Sequence, residues 1–136
     1  MKKTIIGALV TVVTLIVAGC AATIDYPRAD IAAGAEVFRK CKACHSSNPS
    51  RGTFGPQLVG VYMREAGSVP GFDYSEELKA ATFLWDDNHL RDWIAHNKMV
   101  LAGTRMRHVS VTDPAEQDYL IAYLRYLSDY PKKYEN

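Results

Sequence analysis

Residues 41–45 read Cys-Lys-Ala-Cys-His, and no other stretch of the chain constrains the fold as strongly. Two thiols about one helical turn apart can add to the two vinyl groups of a porphyrin, while the adjacent imidazole reaches the iron. The pattern therefore predicts one haem c, attached covalently through Cys41 and Cys44. His45 is the predicted axial ligand on the proximal side.

Three other kinds of site share a Cys-x-x-Cys pattern. A structural zinc site needs two further cysteine or histidine ligands at suitable spacing, and His89, His96 and His108 do not provide such a pair. A thioredoxin-like site needs a βαβ context, which this sequence lacks. A plain disulfide between Cys41 and Cys44 remains an alternative, but haem attachment accounts better for the adjacent histidine.

The start of the chain has the form of an export signal. Lys2 and Lys3 precede an apolar run, and Val-Ala-Gly then leads to Cys20. The run holds about 14 apolar or small residues, fewer than the ~20 that span a bilayer, which favours a cleaved leader over residues 1–19 and not an uncleaved signal anchor. The Val-Ala-Gly-Cys end resembles a bacterial lipobox and predicts lipidation of Cys20.

A lipidated Cys20 would hold the protein at a membrane, because two or more acyl chains anchor a protein stably where one does not. Residues 20–29 would be a short tether that reaches about 30 Å when fully extended. These features predict a periplasm-facing protein of the bacterial cell envelope, lipid-anchored to a membrane that the sequence does not identify.

Length, cysteine count and net charge exclude several other classes of protein. A chain of 136 residues has room for one domain, here residues 30–130. Its three cysteines are an odd set that cannot form a closed disulfide framework. The formal charge of +1 supplies no cationic field for nucleic acid, so no nucleic-acid partner is predicted.

Hydrophobic spacing predicts helices separated by a long loop. Asp30 is expected to cap a first helix that runs to about Ala43 and contains Gly34. The segment from Ser46 to Thr82 is rich in glycine, proline, serine and asparagine, and predicts an ordered loop with one short helical turn near residues 75–79.

Two further helices are predicted after this loop. Asp86 or Asp87 is expected to cap the first of them, which should end before Gly103. Asp113 followed by Pro114 marks the start of the second, which is expected to end near Asp129 and leave residues 131–136 as a polar tail.

Several motifs in the mature chain share the spacing of one known family. They are Gly34-x-x-x-Phe38, Gly55-Pro56-Gln57-Leu58-Val59-Gly60-Val61, Gly71-Phe72-Asp73-Tyr74-Ser75, Gly103-Thr104-Arg105-Met106 and Leu120-Ile121-Ala122-Tyr123-Leu124. With the pentapeptide at 41–45, they make the chain resemble the class I, mitochondrial-type cytochromes c from Gly34 to Leu127. The resemblance implies an all-α cytochrome c fold, with three main helices and long loops wrapped around one haem.

The same resemblance implies roles for individual residues. The carbonyl of Pro56 would orient His45 by accepting its Nδ1–H. Arg64, Tyr74 and Trp85 match the family's haem propionate partners. On the C-terminal helix, Leu120 and Tyr123 would pack across Gly34 and Phe38, which explains a glycine at a close helix contact.

The second axial ligand is expected to be a methionine, because a soft thioether prefers ferrous iron and raises the reduction potential. Met63, Met99 and Met106 are the candidates, and the resemblance selects Met106. Met63 and Met99 are expected to be packing residues. His108, two residues past Met106, is a competing nitrogen ligand.

Two departures from the family lie on this distal side. Ala102 stands where the family usually has proline, so the loop before Met106 is expected to open more readily. Val100 is assigned to the place of the family's distal tyrosine, which predicts the loss of a hydrogen bond near Met106. Trp93, at helical spacing with Leu90 and Ile94, is expected to be a core residue.

These features predict an electron carrier and no catalytic residues. Its expected partners are redox proteins, such as a quinol-oxidising complex, a terminal oxidase, a dehydrogenase or a peroxidase. Two alternatives are a haem subunit of a larger respiratory or dehydrogenase complex, and a ligand-binding or peroxidatic protein in which Met106 is displaceable. Docking is expected to depend on salt, through a mixed set of charges: Arg39, Lys40, Lys42, Lys98, Arg105 and Arg107 against Glu76, Glu77, Asp86 and Asp87.

Overall fold

A computed structural model of the protein describes residues 28–48, 52–107 and 110–134. Its helices are α1 (Arg28–Phe38), α2 (Glu76–Lys79), α3 (Asp87–Val100) and α4 (Pro114–Tyr134). Within these ranges the only β pairing is an isolated bridge between Glu65 and Leu84. The all-α class with three main helices is therefore confirmed. The predicted leader, Cys20 and most of the tether lie outside the described residues.

The helix starts after the long loop follow the predicted capping residues. Asp86 caps α3, and its Oδ1 accepts a hydrogen bond from the His89 amide at 2.8 Å. At α4, Asp113 Oδ1 accepts from the Glu116 amide at 2.9 Å. Each carboxylate satisfies an amide that has no partner within its own helix, which fixes where the helix begins.

Helix α1 differs from the prediction at both ends. It begins at Arg28, so Asp30 lies in its first turn and is not the cap. It ends at Phe38, not near Ala43, because the next amides bond three residues back instead of four: Arg39 to Glu36, Lys40 to Val37 and Cys41 to Phe38. Such tightening is common where an α-helix ends.

The predicted end of α4 near Asp129 is wrong, because the helix continues to Tyr134 and includes residues that were assigned to the polar tail. Proline lacks only the amide that would bond to Leu127, so the residues after Pro131 can still form helical hydrogen bonds.

The contact between α1 and α4 forms around Gly34. A Cβ at this position would lie 2.0 Å from the Tyr119 carbonyl oxygen and 2.7 Å from Tyr123 Cβ. Phe38 and Leu120, with 0% and 1% of their surfaces exposed, fill the centre of the contact, and the Phe38 and Tyr123 rings lie 5.2 Å apart. The predicted packing of the C-terminal helix across Gly34 and Phe38 is confirmed.

The long segment between α1 and α3 forms one wall of a central cavity, to which it contributes residues from Phe54 to Leu78 and Trp85. Among the described residues of this segment the only helix is α2, where Ser75 Oγ accepts from the Leu78 amide at 3.4 Å. A loop of this length is unusual in a small domain unless it has a role such as lining a binding site, and here it lines one side of the cavity. Within the described part of the chain, no helix has the length and apolar character to cross a membrane.

Candidate cofactor site

The central cavity has a volume of about 920 Å³, towards the upper end of the ~300–1,000 Å³ typical of cofactor sites. All three main helices contribute apolar side chains to it, including Phe38 from α1, Leu90 from α3 and Leu124 from α4. The eight residues that the sequence assigned to cofactor binding all lie on its wall: Cys41, Cys44, His45, Pro56, Arg64, Tyr74, Trp85 and Met106.

Cys41 and Cys44 lie one helical turn apart at the edge of this cavity. The amides of Cys44 and His45 both bond to the Cys41 carbonyl, at 3.1 and 2.9 Å. Both thiols are free, so the structure does not contain the disulfide alternative. Burial raises the pKa of the Cys41 thiol, and the positive charge of Lys40 partly opposes that effect. The described ranges contain no cluster of three or more histidine, cysteine, aspartate or glutamate side chains arranged as a metal site.

His45 is buried, and its orientation is set by Pro56. The distance from His45 Nδ1 to the Pro56 carbonyl oxygen is 2.8 Å, which makes Nδ1–H the donor and leaves the Nε2 lone pair available. Burial lowers the pKa of the imidazole, and the bond to Pro56 partly opposes this. The neutral ring that results is the form that binds a metal.

Arg64 reaches the cavity but is anchored to the loop behind it. Its guanidinium donates to the carbonyl oxygens of Val59 and Gln57, both at 3.1 Å. Burial lowers the pKa of Arg64 and raises the pKa of Tyr74. A guanidinium stays charged in proteins even so, and the raised pKa of Tyr74 keeps the phenol protonated at neutral pH. Both therefore present hydrogen-bond donors suited to a carboxylate.

Trp85 is buried between two aromatic side chains. Its ring packs edge-on against Trp93, with centroids 5.0 Å apart, and against Phe83 at 4.9 Å. Its backbone is fixed as well, because the Trp85 amide bonds to the Arg64 carbonyl at 2.9 Å. This pairing joins two of the predicted propionate partners on one section of the wall.

Met106 has a hydrogen bond at each of its polar groups. Its amide donates to Thr104 Oγ1 at 3.2 Å, its carbonyl accepts from Asn97 Nδ2 at 2.9 Å, and its Sδ accepts from Trp93 Nε1 at 3.1 Å. The loss of a tyrosine hydrogen bond inferred from Val100 stays a prediction, but the Met106 sulfur does have a donor, which is Trp93.

Trp93 and Asn97 are the functional residues that the sequence interpretation missed. Trp93 is a core residue as expected, but it also binds the Met106 sulfur. Asn97 gave a signal that was available in the sequence. It follows Leu90 and Trp93 at helical spacing, and an amide on an apolar helix face requires a buried partner.

The other methionines do not line the cavity. Met63 is 51% exposed and Met99 is 86% exposed, so the expectation that they are packing residues is wrong. The competing ligand His108 lies outside the described residues.

Arg105, the residue directly before Met106, holds this part of the loop by pairing with Asp73. Its two terminal nitrogens each lie 3.2 Å from Asp73 Oδ2, and Nη2 also donates to the Asp73 carbonyl. The hydrogen bond from Arg105 is the main cause of a lowered pKa at Asp73, with a further contribution from Lys79. This pair connects the segment before Met106 to the loop that carries Tyr74.

Comparisons by sequence and by structure match this chain to the same family of known proteins. The family model described as Cytochrome c matches residues 31–128. Cytochrome c2 of Rhodoplanes tepidamans is 38% identical over 105 residues, which cover 76% of this chain and 98% of that protein. Cytochrome c2 iso-2 of Magnetospirillum fulvum is 38% identical over 90 residues, 66% of this chain and 94% of that protein. The solved structure of cytochrome cH from Methylobacterium extorquens aligns with a TM-score of 0.66 and 39% identity, covering 71% of this chain and 97% of that one.

Proposed function

Because the chain belongs to the cytochrome c family, we propose that it carries electrons between redox proteins of a bacterial cell envelope, with its iron held by His45 and Met106. As a member of this family it is a single-haem electron carrier and not an enzyme. Its cofactor is covalently attached haem c, and Cys41 and Cys44 are consistent with the attachment motif. The observation that carries the proposed ligation is that His45 and Met106 lie on the wall of one apolar cavity.

The residues around the cavity suit this role. When bound, haem supplies an iron that gains or loses one electron. His45 offers Nε2 because Pro56 holds Nδ1–H, and Met106 offers a soft sulfur that favours the reduced state. His45 and Met106 would together hold the iron and leave it no position for a substrate. The apolar wall keeps water away, which limits the reorganisation that accompanies a change of charge.

We expect Met106→Ala to abolish the weak near-infrared absorption band that a methionine–iron bond gives in the oxidised protein. Alanine has no sulfur, so the site would be left open to water or to an added ligand. The reduction potential should fall as well, because the ligand that favours ferrous iron is gone. Absorption spectroscopy and a redox titration of the purified protein measure both effects.

Met99→Ala is the matched control, because it removes the same side chain from an exposed position on α3. It should retain the band and the wild-type potential. A Met106→Ala protein that keeps the band, or a Met99→Ala protein that loses it, would show that the assigned ligand is wrong.

The proposal places the domain at a membrane through a lipidated Cys20, after removal of residues 1–19. The support comes from the sequence, in which small residues precede Cys20 and follow an apolar run too short to span a bilayer. Because α1 begins at Arg28, only a few residues would separate the acyl chains from the folded domain. This arrangement favours partners that are themselves at the membrane surface.

We expect Cys20→Ala to release the protein from the membrane fraction into the soluble periplasmic fraction, with its haem retained. Acyl chains contribute most of the binding free energy of such an anchor, at about 0.8 kcal/mol per buried methylene. Fractionation of cells followed by haem staining measures the distribution. A variant that stays membrane-bound in high salt would contradict lipid anchoring at Cys20.

The proposed partners are redox proteins such as a quinol-oxidising complex, a terminal oxidase, a dehydrogenase or a peroxidase. Some of the cationic side chains that the sequence suggested for docking form ion pairs within the protein. Arg39 pairs with Glu36 at 2.9 Å, and Lys40 pairs with Glu116 at 2.7 Å. Arg105 is bound to Asp73. These pairs are exposed and weak, so a partner's carboxylates can compete for the same cations.

A further inference from the structure

Tyrosines are concentrated on one side of α4. Five of the chain's eight tyrosines lie in this helix, at positions 119, 123, 126, 130 and 134. At about 100° per residue these positions fall within an arc of about 80° around the helix axis. The buried apolar positions of the helix are centred about 110° away from that arc: Leu120, Ile121, Leu124 and Leu127. The five tyrosine positions are called the tyrosine stripe below.

The stripe reaches the protein surface at the tyrosines whose side chains the structure describes. Tyr119 is 37% exposed, and Tyr123 and Tyr126 are half-buried, with ring centroids 6.4 Å apart. A tyrosine combines an apolar ring with a hydroxyl that keeps its hydration, so it suits a boundary between hydrocarbon and water. The stripe therefore differs in chemistry from the apolar core side of the same helix.

The N-terminal segment of the domain crosses the stripe. Gly34 of α1 lies against the Tyr119 carbonyl and Tyr123 Cβ. Arg28, where α1 begins, is six residues before this crossing, which is about 9 Å along the helix. A lipidated Cys20 would lie eight residues further upstream, at most about 30 Å away. The proposed anchor thus joins the domain close to the stripe.

The charges around the C-terminal end of the stripe balance in the sequence. Lys132 and Lys133 are matched by Asp129 and Glu135. A surface without net charge does not select a strongly acidic or strongly basic protein partner. Tyrosine is instead enriched where lipid headgroups meet the hydrocarbon of a bilayer. The chemistry of the stripe therefore favours a lipid surface.

From this placement we infer that the tyrosine stripe lies in the headgroup layer of the membrane, and that it fixes the orientation of the haem domain there. The inference rests on the proposed lipidation of Cys20. The tether by itself permits many orientations, because its reach is similar to the ~30 Å diameter of a domain of this size. It also keeps the domain at a high local concentration beside the lipid, so a weak contact is enough to select one orientation.

The stripe is connected to the cofactor cavity through one side chain. The Tyr123 ring lies 5.2 Å from the ring of Phe38, and Phe38 lines the cavity. A stripe held at the membrane would therefore hold the haem plane at one angle to the bilayer, with the α1–α4 contact between the lipid and the cofactor. Partners that are themselves in the membrane would then meet the domain in a single orientation.

Polarised absorption of the haem tests this inference on the full-length, lipidated protein in a supported bilayer of phosphatidylethanolamine and phosphatidylglycerol. A haem held at one angle absorbs light polarised parallel and perpendicular to the bilayer unequally. We expect this difference in the wild type, and we expect it to fall by more than half in the double variant Tyr119→Ser, Tyr126→Ser. The amount of bound protein should not change, because the acyl chains still anchor it.

Tyr62→Ser is the matched control, because Tyr62 contacts α4 away from the stripe. Its amide donates to Ser128 Oγ at 2.9 Å, and the Arg125 guanidinium lies 4.7 Å above its ring. This variant should keep the wild-type difference in absorption. If the double variant does not incorporate haem, Tyr119→Asp at the most exposed of the three described tyrosines carries the test and should also reduce the difference.

The outcomes separate the inference from the proposal on which it rests. Wild-type protein that a high-salt wash removes from the bilayer would refute the lipid anchor. Anchored wild type with equal absorption in both polarisations, or a double variant with an unchanged difference, would refute the role of the stripe. Loss of the difference in high salt would show a charged contact instead of an aromatic one. A dimer in detergent that Tyr119→Asp dissociates would assign the stripe to a second copy of the chain and overturn the inference.

Discussion

Replacing Gly34 with alanine is expected to destabilise the protein by about 2 kcal/mol, although alanine is the better helix former. The added methyl would lie 2.0 Å from the Tyr119 carbonyl oxygen and 2.7 Å from Tyr123 Cβ. Neither atom can move by a side-chain rotation, so α1 and α4 must separate. Overpacking of this kind costs about 3 kcal/mol, and the helix propensity gained offsets only about 1 kcal/mol. Denaturant unfolding followed by circular dichroism measures the difference.

Ala32→Val is the control for this prediction. It adds apolar volume to the same helix at an exposed position, so it should change the free energy of unfolding by about 0.5 kcal/mol at most. Equal stabilities for Gly34→Ala and the wild type would show that the helices can separate without loss, and that the close contact is not needed.

Replacing Gly55 with alanine is expected to disturb the proximal side of the site. A Cβ there would lie 2.6 Å from His45 Cε1, 2.8 Å from His45 Nδ1 and 2.9 Å from the Cys44 carbonyl oxygen. The His45 ring cannot turn away while Nδ1 is bonded to Pro56 at 2.8 Å. We expect that bond to break, and loss of such a supporting contact weakens a metal–ligand bond about 10- to 100-fold.

A denaturant titration followed at the main haem absorption band measures this effect, because the band responds when an axial ligand leaves the iron. The Gly55→Ala protein should lose its wild-type spectrum at a lower denaturant concentration. Gly52→Ala is the matched control, since a Cβ at that position meets no atom within 4 Å. Identical transitions for Gly55→Ala and the wild type would contradict the proposed support of His45 by this turn.

Gly34 and Gly55 differ in how far the sequence alone predicted their contacts. Gly34 and Gly55 both belong to motifs recognised in the sequence, and the helix contact at Gly34 was predicted. That Gly55 lies against the His45 ring follows from the path of the loop, since the contact joins residues ten apart. A sequence motif records that a small residue is needed, and only the fold identifies the atom that requires it.

The local chemistry of the proximal side was determined by the sequence itself. Cys41, Cys44 and His45 are consecutive or nearly so, and one helical turn is enough to bring them together. The caps at Asp86 and Asp113 were predictable for the same reason, because each bonds an amide three residues away. Helix ends were harder to predict, because α1 tightens into three-residue hydrogen bonds after Phe38 and α4 continues through Pro131 to Tyr134.

The surroundings of Met106 were decided by the tertiary structure. The sequence located Met106 in the distal loop, but it interpreted Trp93 as core only and treated Val100 as a lost hydrogen bond. Trp93 lies 13 residues before Met106, and Asn97 lies nine before it. Contacts at such separations depend on how α3 breaks at His96 and how the loop returns to it, and no local periodicity encodes either. The sequence thus determined the attachment motif at residues 41–45, whereas the fold decided which side chains contact Met106.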